Sequence, residues 1–411
     1  MLSLAIALIS IVLFVIAIAN LYWTLHAWRT PANLRNTTFP APDGDHSLSF
    51  SILIPARYEE AVLEHTVTQL LQSGHPDIEI LLIIGHDDFG TAEVADWLAY
   101  KYPDKVRVIV DTNKRKNKPK ALNTALPYCR GDIVGVFDAE DLVHPDLLTH
   151  VDYAFRATNA TVVQGGVQLI NFHSSWYSLR NCLEYFFWFR SRLHLQAEAG
   201  FIPLGGNTVF VRTDTLNQIG GWDPSCLAED CELGVRLSSR GHKVVVAYDA
   251  VLVTREETPD SAASFFRQRT RWNQGFMQVF RKGDWRRIAS FRQRALARFT
   301  LASPFLQAFT GLAAPVGLIV ALVLHLPVWV TLLSFLPGIP TLAQLAFEAA
   351  GLHDLGKLYN LKIERAHYVK LVVAAPLYTL VLAGAALRAI ARELVGRRDW
   401  ELTRHVGAHL T

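Results

Sequence analysis

The sequence predicts an α/β domain with a mostly parallel sheet, flanked on both sides by transmembrane α-helices. Between about residues 45 and 300, apolar strand-like runs alternate with helical patterns and polar loops, which is the order typical of a parallel sheet. Toward both ends of the chain, long segments carry no Asp, Glu, Lys or Arg. A length of 411 residues leaves room for two or three domains at about 100–200 residues each.

Composition narrows the class of protein. Hydrophobic residues make up 51% of the chain and charged residues only 19%, which favours a membrane protein over a wholly soluble one. The net charge is only +3, so no sustained basic field favours nucleic acid as a partner. The four cysteines lack the C-x-x-C spacing of a zinc site and are interpreted as packing thiols.

Five buried strands and three helices are predicted in the first part of the globular region. The strands are predicted at 48–55, 78–84, 106–110, 133–137 and 161–164, and the helices at 61–73, 91–100 and 121–128. Ligands of such sheets bind beyond the carboxyl ends of the strands, so functional residues are expected there. No Walker lysine motif and no G-x-G-x-x-G follows any strand, which argues against a P-loop NTPase or a dinucleotide oxidoreductase.

The N-terminal segment is interpreted as an uncleaved membrane anchor. Residues 1–25 carry no charge and exceed the roughly 20 apolar residues needed to span a bilayer. Tyr22, Trp23 and Trp28 form an aromatic belt that Arg29 and Arg35 follow, whereas a secretory signal would end in a small-residue cleavage site. The positive charge after the helix places the next segment in the cytoplasm and the N-terminus outside.

The C-terminal third gives a conflicting count of spans. Residues 299–347 are uncharged and long enough for two spans joined by a turn near His325 and Pro327, and 371–387 is a further uncharged run. Four spans would leave the C-terminus outside, yet five arginines favour the inside: Arg388, Arg392, Arg397, Arg398 and Arg404. Either one run is interfacial or a span is miscounted. The stretch before Pro315 is the candidate, because Pro304 and Gly311 could break its helix.

Polar side chains follow three of the predicted strands. The first strand is followed by Arg57, Tyr58, Glu59 and Glu60, the second by Asp87 and Asp88, and the fourth by Asp138, Glu140 and Asp141. Clustered carboxylates suit Mg²⁺ or Mn²⁺, which take further ligands from substrate phosphates. A solvated acidic turn remains an equal alternative for the second cluster. Lys118 and Lys120, just before a predicted helix, provide positive charge for a diphosphate.

Six motifs occur in order along the chain: PARYEE at 55–60, KPKALN at 118–123, DAED at 138–141, GGWD at 220–223, AED at 228–230 and QRTRW at 268–272. Together they resemble the membrane-embedded family 2 glycosyltransferases, the group that contains cellulose, chitin, hyaluronan and poly-N-acetylglucosamine synthases. The resemblance covers about residues 45–300. It implies a GT-A-like fold, the nucleotide-diphospho-sugar transferase type, with transmembrane helices on both flanks.

The resemblance also implies roles for individual residues. Nucleotide-sugar binding falls on Pro55, Arg57, Glu59, Asp88, Lys120, Asp138, Gln268 and Arg271. Metal binding falls on Asp138 and Glu140, catalysis on Asp230 with Glu229 beside it, and acceptor binding on Trp272, Gly206 and Asn207. A plain glycine turn is an equal alternative for Gly206 and Asn207. The sequence departs from the family pattern at Glu140, which replaces an aspartate, at Ala228, which replaces Thr or Ser, and at GHDDFGT, which leaves the choice between Asp87 and Asp88 open.

The chemistry of sugar transfer fits these residue types. A cation must stabilise the departing diphosphate, and a base must take the proton of the attacking hydroxyl. Asp230 opens a helical stretch whose dipole stabilises its charged form, although a helix N-cap is the structural alternative. On a helix, Gln268, Arg271 and Trp272 share one face, where arginine suits the diphosphate and tryptophan an acceptor ring. The alternative is an amphipathic helix at the membrane surface with snorkelling arginines.

The sequence thus predicts an inverting glycosyltransferase that moves a sugar from a UDP-sugar to a growing β-linked polysaccharide at the membrane, with Mg²⁺ or Mn²⁺. A non-processive enzyme that adds one sugar to a lipid acceptor and an inactive sugar-nucleotide-binding scaffold subunit of an export complex remain alternatives. Expected partners are the donor, a glycan or glycolipid acceptor and the lipid bilayer of the cell membrane, which the protein crosses several times.

The predicted organisation has five parts: a transmembrane helix at 1–28, a cytoplasmic catalytic domain at 29–280, a basic interfacial segment at 281–298, transmembrane or interfacial helices at 299–391 and a tail at 392–411.

Overall fold

The computed structural model describes residues 2–29, 47–324 and 326–401. Three residues used in the topology predictions, Arg35, His325 and Arg404, lie outside the described residues. The same holds for residues 30–46 of the predicted catalytic domain and 402–411 of the predicted tail.

A seven-stranded, mostly parallel sheet forms the centre of the described domain, as predicted. Its order is β3-β2-β1-β4-β7-β5-β8, and β6 and β9 form a separate parallel pair. The strands are β1 (Phe50–Ala56), β2 (Ile78–Gly85), β3 (Val106–Asp111), β4 (Ile133–Val136), β5 (Val162–Gly165), β6 (Val167–Leu169), β7 (Val209–Arg212), β8 (Val244–Ala247) and β9 (Thr254–Glu256). Only β7 runs antiparallel to its neighbours in the large sheet, and the sequence prediction did not include it.

The sheet is covered on both faces because its central strands are apolar at most positions. In β1, Ile52 and Ile54 join one buried cluster while Leu53 joins the other. Alternate side chains of a strand point to opposite faces, so a continuous apolar run is what a sheet between two helical layers requires. The parallel register of β1 with β2 and β4 brings the carboxyl ends of these three strands to one edge.

The helices of the described chain surround this sheet and continue beyond it. They are α1 (Leu2–Leu25), α2 (Leu63–Leu71), α3 (Phe89–Lys101), α4 (Lys118–Ala125), α5 (Leu147–Thr158), α6 (Ser178–Phe187), α7 (His194–Glu198), α8 (Thr213–Ile219), α9 (Glu229–Ser239), α10 (Ala262–Lys282), α11 (Phe291–Leu301), α12 (Ser303–Val323), α13 (Val328–Phe335), α14 (Gly338–Leu358) and α15 (Arg365–Leu394). A π-helix spans Trp188–Leu193, between α6 and α7.

The three predicted helices of the globular region are present with shifted starts. The helix predicted at 121–128 begins at Lys118, because the Asn117 side chain accepts the Lys120 N–H and caps it. The helix predicted at 91–100 begins at Phe89, where Asp88 is the capping residue. In both cases a polar cap sets the boundary earlier than the apolar pattern indicated.

Four stretches of the described chain are helical, long and apolar enough to cross a membrane: Leu2–Trp28, Ser303–Val323, Val328–Leu358 and Arg365–Leu394. The stretch before Pro315 divides near Pro304, since α11 ends at Leu301 and α12 begins at Ser303, but it does not break at Gly311, because α12 runs on without interruption. Pro304 lies in its first turn, where no N–H bond is lost. Gly311 serves close packing, since a Cβ there would lie 2.1 Å from Ala383 Cβ of α15.

Helix α15 contacts the globular domain near its start, in its middle and near its end. Near its start, Lys370 Nζ donates to the Ser175 carbonyl at 2.8 Å, and in its middle Tyr378 Oη donates to Glu184 at 2.5 Å. Near its end, Arg392 Nε donates to Gln274 Oε1 at 3.1 Å. Its outer face is exposed and apolar at Val369, Val372, Val373, Leu377 and Leu380. Both ends of this candidate span therefore contact the globular domain.

Impermeant thiol labelling tests this arrangement in membranes. Lys362→Cys replaces an exposed residue just before α15, and Leu394→Cys replaces the exposed last residue of that helix. Leu324→Cys lies at the C-terminal end of α12. We expect a maleimide applied to the cytoplasmic face to label the first two positions and one applied to the outer face to label only the third. Labelling of positions 362 and 394 from opposite faces would contradict the packing of α15; the four native cysteines, measured in the unmodified chain, give the background.

Candidate active site

A cavity of about 600 Å³ lies beyond the carboxyl ends of β1, β2 and β4. It is lined by all but two of the residues that the sequence predicted for the site. These lining residues are Pro55, Arg57, Glu59, Asp138, Glu140, Gly206, Asn207, Glu229, Asp230, Gln268, Arg271 and Trp272. Segments far apart in the chain thus meet at one cavity, at the edge of the sheet where ligands of such folds bind.

Asp88 is the first residue that the cavity does not include. It is buried, caps α3 by accepting the Thr91 N–H, and accepts the Tyr58 N–H at 2.6 Å. Asp87 lines the cavity instead and pairs with Arg57 at 3.0 Å. The Arg57 guanidinium lowers the pKa of Asp87 from its ordinary value. Of the two aspartates between which the sequence left the choice open, Asp87 is the one that lines the cavity, since adjacent residues after a strand point in different directions.

Lys120 is the second exception. Its Nζ donates to the Arg115 carbonyl at 2.9 Å, and it does not line the cavity. Lys118 lines the cavity instead of Lys120. Its Nζ contacts the Asp138 carboxylate and donates to the Gly206 carbonyl at 2.8 Å. Both lysines lie in the first turn of α4, but positions two apart on a helix differ by about 200° in direction. Only one of them reaches the cavity.

Asp141 organises the carboxylates that follow β4 and does not itself line the cavity. Its Oδ2 accepts the Asp138 N–H at 2.8 Å and its Oδ1 accepts from the Asn207 amide at 2.8 Å. Burial raises the pKa of Asp141, and the nearby charges of Glu256, Asp138 and Glu140 raise it further. Asp141 thereby positions two cavity residues, Asp138 and Asn207, and its oxygens are already used by the protein.

Asp138 and Glu140 fit a hard divalent cation. Both line the cavity, both offer only oxygen ligands, and both contribute negative charge that raises the pKa of Asp141. Mg²⁺ is usually bound by one or two protein carboxylates and takes further ligands from substrate phosphates. The donor set therefore fits the predicted Mg²⁺ or Mn²⁺ on its chemistry.

Glu229 and Asp230 form the first turn of α9. Ala228 occupies the cap position, so the alternative interpretation of Asp230 as an N-cap is wrong. Burial raises the pKa of Asp230. Burial and the adjacent Asp230 charge raise the pKa of Glu229 to about 7, against the opposing charges of Lys118 and Arg271. The site thus contains one carboxyl, Glu229, able to exchange a proton near neutral pH.

Helix α10 presents Gln268, Arg271 and Trp272 to the cavity from one face, as predicted. The alternative of snorkelling arginines does not hold for Arg269, which is buried and pairs with Glu184 at 2.7 Å. Helix α15 covers this part of α10, so α10 is an internal helix of the described structure.

The sequence did not predict Trp400, which lines the cavity from the segment after α15. The Arg271 guanidinium lies 4.4 Å from the centre of its ring. Glu401 holds this segment in place by ion pairs with Arg388 at 2.7 Å and with Arg392 at 3.2 Å. No local pattern marks a lone tryptophan so far from the other motifs. The π-helix residues Trp188 and Arg192 also line the cavity and were also missed.

A family model matches more than half of this chain. Residues 46–275 match the family model described as "Glycosyltransferase like family 2". The chain belongs to glycosyltransferase family 2. It is therefore an enzyme of the glycosyltransferase class, as the resemblance of its motifs implied.

Two kinds of relative illustrate the range of this family. The beta-monoglucosyldiacylglycerol synthase of Trichormus variabilis is 31% identical over 241 residues, which cover 57% of this chain and 50% of that protein. The poly-beta-1,6-N-acetyl-D-glucosamine synthase of Staphylococcus aureus is 24% identical over 250 residues, which cover 57% and 56% of the two chains. The chain spans about half the length of the curated relatives it matches.

A solved structure supports the fold. The mannosyltransferase PcManGT of Pyrobaculum calidifontis, in complex with GDP-Man and Mn²⁺, aligns with a TM-score of 0.60 over 95% of this chain and 99% of that one. Sequence identity is 17%, so the likeness concerns the fold alone. The family 2 transferase described here has the predicted GT-A-like fold.

Gly275 of α10 sets how closely this helix approaches the catalytic turn. A Cβ at this position would lie 2.4 Å from the Ala228 Cβ and 2.6 Å from its backbone nitrogen. Gly275→Ala should therefore displace Glu229 and Asp230, with a loss of roughly 10²-fold in sugar transfer and about 1–3 kcal/mol in the free energy of unfolding. The first is measured as sugar transfer from a nucleotide-sugar donor and the second by thermal unfolding.

Gly317→Ala is the matched control, because this glycine of α12 has no atom within 4 Å of an added Cβ. Alanine is the better helix former by about 1 kcal/mol, so stability and activity should be kept. Equal activity of the two variants would contradict the role assigned to the α10 contact.

Proposed function

We propose that this chain is an inverting, metal-dependent transferase that moves a sugar from a UDP-sugar to a hydroxyl group presented from the membrane. One observation carries the proposal: Asp138, Glu229 with Asp230, and Arg271 line a single cavity, although they come from separate stretches of the chain. The same constellation argues against an inactive scaffold subunit, because binding alone does not require a buried base.

We assign donor binding to the part of the cavity that lies at the carboxyl ends of the strands. Pro55, Arg57, Glu59 and Asp87 line the part that we assign to the nucleoside. Lys118 and Arg271 supply positive charge for the diphosphate, and arginine's planar fork suits phosphate oxygens. Asp138 and Glu140 would hold the metal ion, which when bound stabilises negative charge on the leaving diphosphate.

The reaction follows from these positions. Asp230 accepts the proton of the acceptor hydroxyl, whose oxygen attacks the anomeric carbon. The bond from that carbon to the diphosphate oxygen breaks, and UDP leaves with the electron pair toward Lys118 and Arg271. A single displacement inverts the anomeric centre, so an α-linked donor gives a β-linked product.

The acceptor end of the cavity reaches the membrane helices. Ser303 and Gln307 of α12 and Leu382 of α15 line it together with Trp272 and Trp400. The aromatic side chains offer planes for a sugar ring, and the helices continue into exposed apolar surfaces such as that of α12 from Leu312 onward. An acceptor held in the bilayer would enter along this wall.

We further propose that three of the four apolar segments cross the membrane and that the fourth, α15, lies at the membrane surface. If α1, α12 and the α13–α14 pair cross and α15 lies on the surface, the segment after α15 is on the side of the catalytic domain. The arginines of that segment then lie in the cytoplasm, as the positive-inside rule requires. The basic segment before α12 also agrees with a cytoplasmic domain at the cell membrane.

This arrangement favours a lipid-linked acceptor that receives a single sugar. Three crossing helices offer little wall for a channel that would hold a growing glycan. The similarity to the glucosyldiacylglycerol synthase at 31% identity points the same way. Extension of a β-linked polysaccharide is the second candidate, supported by the similarity to the poly-N-acetylglucosamine synthase at 24%.

A donor screen on the purified chain in lipid nanodiscs tests the function. With Mn²⁺ and diacylglycerol-containing lipid, we expect UDP release from one UDP-sugar and a product that carries one sugar per lipid by mass spectrometry. EDTA should abolish it. Asp230→Asn should bind UDP unchanged but lose about 10²–10⁴-fold in transfer. Polymer as the product would favour the second candidate, and equal turnover of Asp230→Asn would remove the base role.

The pH dependence of sugar transfer gives an independent test of the roles of Glu229 and Asp230. Burial raises the pKa of the Asp230 base, and the pKa of its neighbour Glu229 is raised to about 7, so transfer should fall as protons bind this pair. Glu229→Gln removes the carboxyl whose pKa is raised to about 7, so the acid limb of the pH–rate profile should move to lower pH, where Asp230 alone takes up a proton. Glu93→Gln, at an exposed position of α3, should leave the profile unchanged. An unmoved acid limb in Glu229→Gln would contradict the coupling.

A further inference from the structure

A second cluster of potential metal ligands lies where the first helix meets the globular domain. His26 belongs to the turn that follows α1, and His194 and Glu198 belong to α7. His26 Nε2 lies 3.2 Å from His194 Nδ1 and 3.6 Å from Glu198 Oε2, and His194 Nδ1 lies 3.8 Å from Glu198 Oε1. All three ligand atoms lie within 4.8 Å of one another.

These separations match the edges of a tetrahedral metal site. Zinc binds imidazole nitrogen and carboxylate oxygen at about 2.0–2.2 Å, which places neighbouring ligands about 3.3 Å apart in a tetrahedron. The measured values of 3.2 to 3.8 Å need only small side-chain movements to reach this geometry. Two imidazoles and one carboxylate are a ligand set that suits zinc.

Burial of the ligands differs in a way that fits a site with one open position. The side chains of His26 and His194 are only 7% and 17% exposed, whereas Glu198 is 58% exposed. The two rings are therefore held by the protein, and the carboxylate side is open to a water molecule as the fourth ligand. A plain hydrogen bond between the two rings is the competing explanation, and it involves no metal.

The elements around the cluster fix it to the wall of the active-site cavity. Ser191 of the π-helix donates to the Trp23 carbonyl of α1, and the Arg192 guanidinium lies 3.8 Å from the centre of the Trp23 ring. Arg192 and Trp188 of the same π-helix line the cavity. His194 directly follows this π-helix, so a ligand on His194 and His26 would join α1 to it.

We propose that His26, His194 and Glu198 bind one Zn²⁺ ion that fastens the N-terminal helix to the π-helix of the catalytic domain. This site differs from the Asp138 and Glu140 pair in chemistry, since it offers nitrogen ligands where that pair offers only oxygen. It therefore selects a different ion, and its occupancy does not depend on sugar transfer.

Cobalt substitution tests the site in the full chain. The purified protein in nanodiscs is stripped with a chelator, dialysed and titrated with Co²⁺, whose tetrahedral complexes absorb visible light far more strongly than octahedral ones. We expect one strongly absorbing Co²⁺ per chain, displaced by one equivalent of Zn²⁺. His194→Ala and His26→Ala should lose the signal, and Glu198→Gln should weaken Zn²⁺ binding at least about tenfold.

Two controls keep the result interpretable. His173→Ala removes a histidine of a different pair, whose partner ring, His367, lies 5.0 Å away, and Asp138→Asn alters the active-site carboxylates. Both should keep the full signal. Because Glu198 is exposed, Glu198→Gln should fold normally even if a histidine variant does not. The absence of a tetrahedral Co²⁺ signal, or full Zn²⁺ binding by Glu198→Gln, would overturn the proposal and leave the hydrogen-bonded histidine pair as the explanation. Loss of the Co²⁺ signal in Asp138→Asn would also overturn it, because the ion would then belong to the active-site cavity.

Discussion

A balance of buried charges holds the active site together. Asp138, Glu229 and Asp230 bring negative charge to one cavity, and Lys118 and Arg271 bring the compensating positive charge. Burial opposes the charged form of Lys118, but the carboxylates outweigh it and raise its pKa. An unpaired buried charge is costly, so each segment is stable at the cavity only when the others are present. The fold and the catalytic chemistry therefore depend on the same contacts.

The sheet and most of the site were predictable because they rest on local patterns. Continuous apolar runs identify buried strands, and the residues after them share one edge whatever the details of packing. The positions of Asp88 and Lys120 outside the cavity have a different origin. One or two residues decide whether a side chain faces the cavity or caps a helix, and cap geometry at Asp88 and Asn117 depends on contacts that a linear pattern does not contain.

The membrane part shows where counting apolar residues stops being sufficient. By composition α15 resembles a spanning helix, yet the contacts of Lys370 and Arg392 hold both of its ends on the globular domain. These partners lie far away in the chain, on the segments around Ser175 and Gln274. The same packing brings Trp400 over Arg271, which explains why a cavity residue from the C-terminal segment escaped prediction. These tertiary contacts, and not hydropathy, support the proposal that this helix lies at the membrane surface.

Direct observation of a bound nucleotide is the most stringent test of the shared cavity. A cryo-EM map of the full chain in nanodiscs with UDP and Mn²⁺ should show the metal on Asp138 and Glu140, with the diphosphate within reach of Lys118 and Arg271 and the uridine near Asp87. Asp230 should face the open side of the diphosphate. Nucleotide density outside this cavity, or a metal bound without either carboxylate, would contradict the assignment of the site.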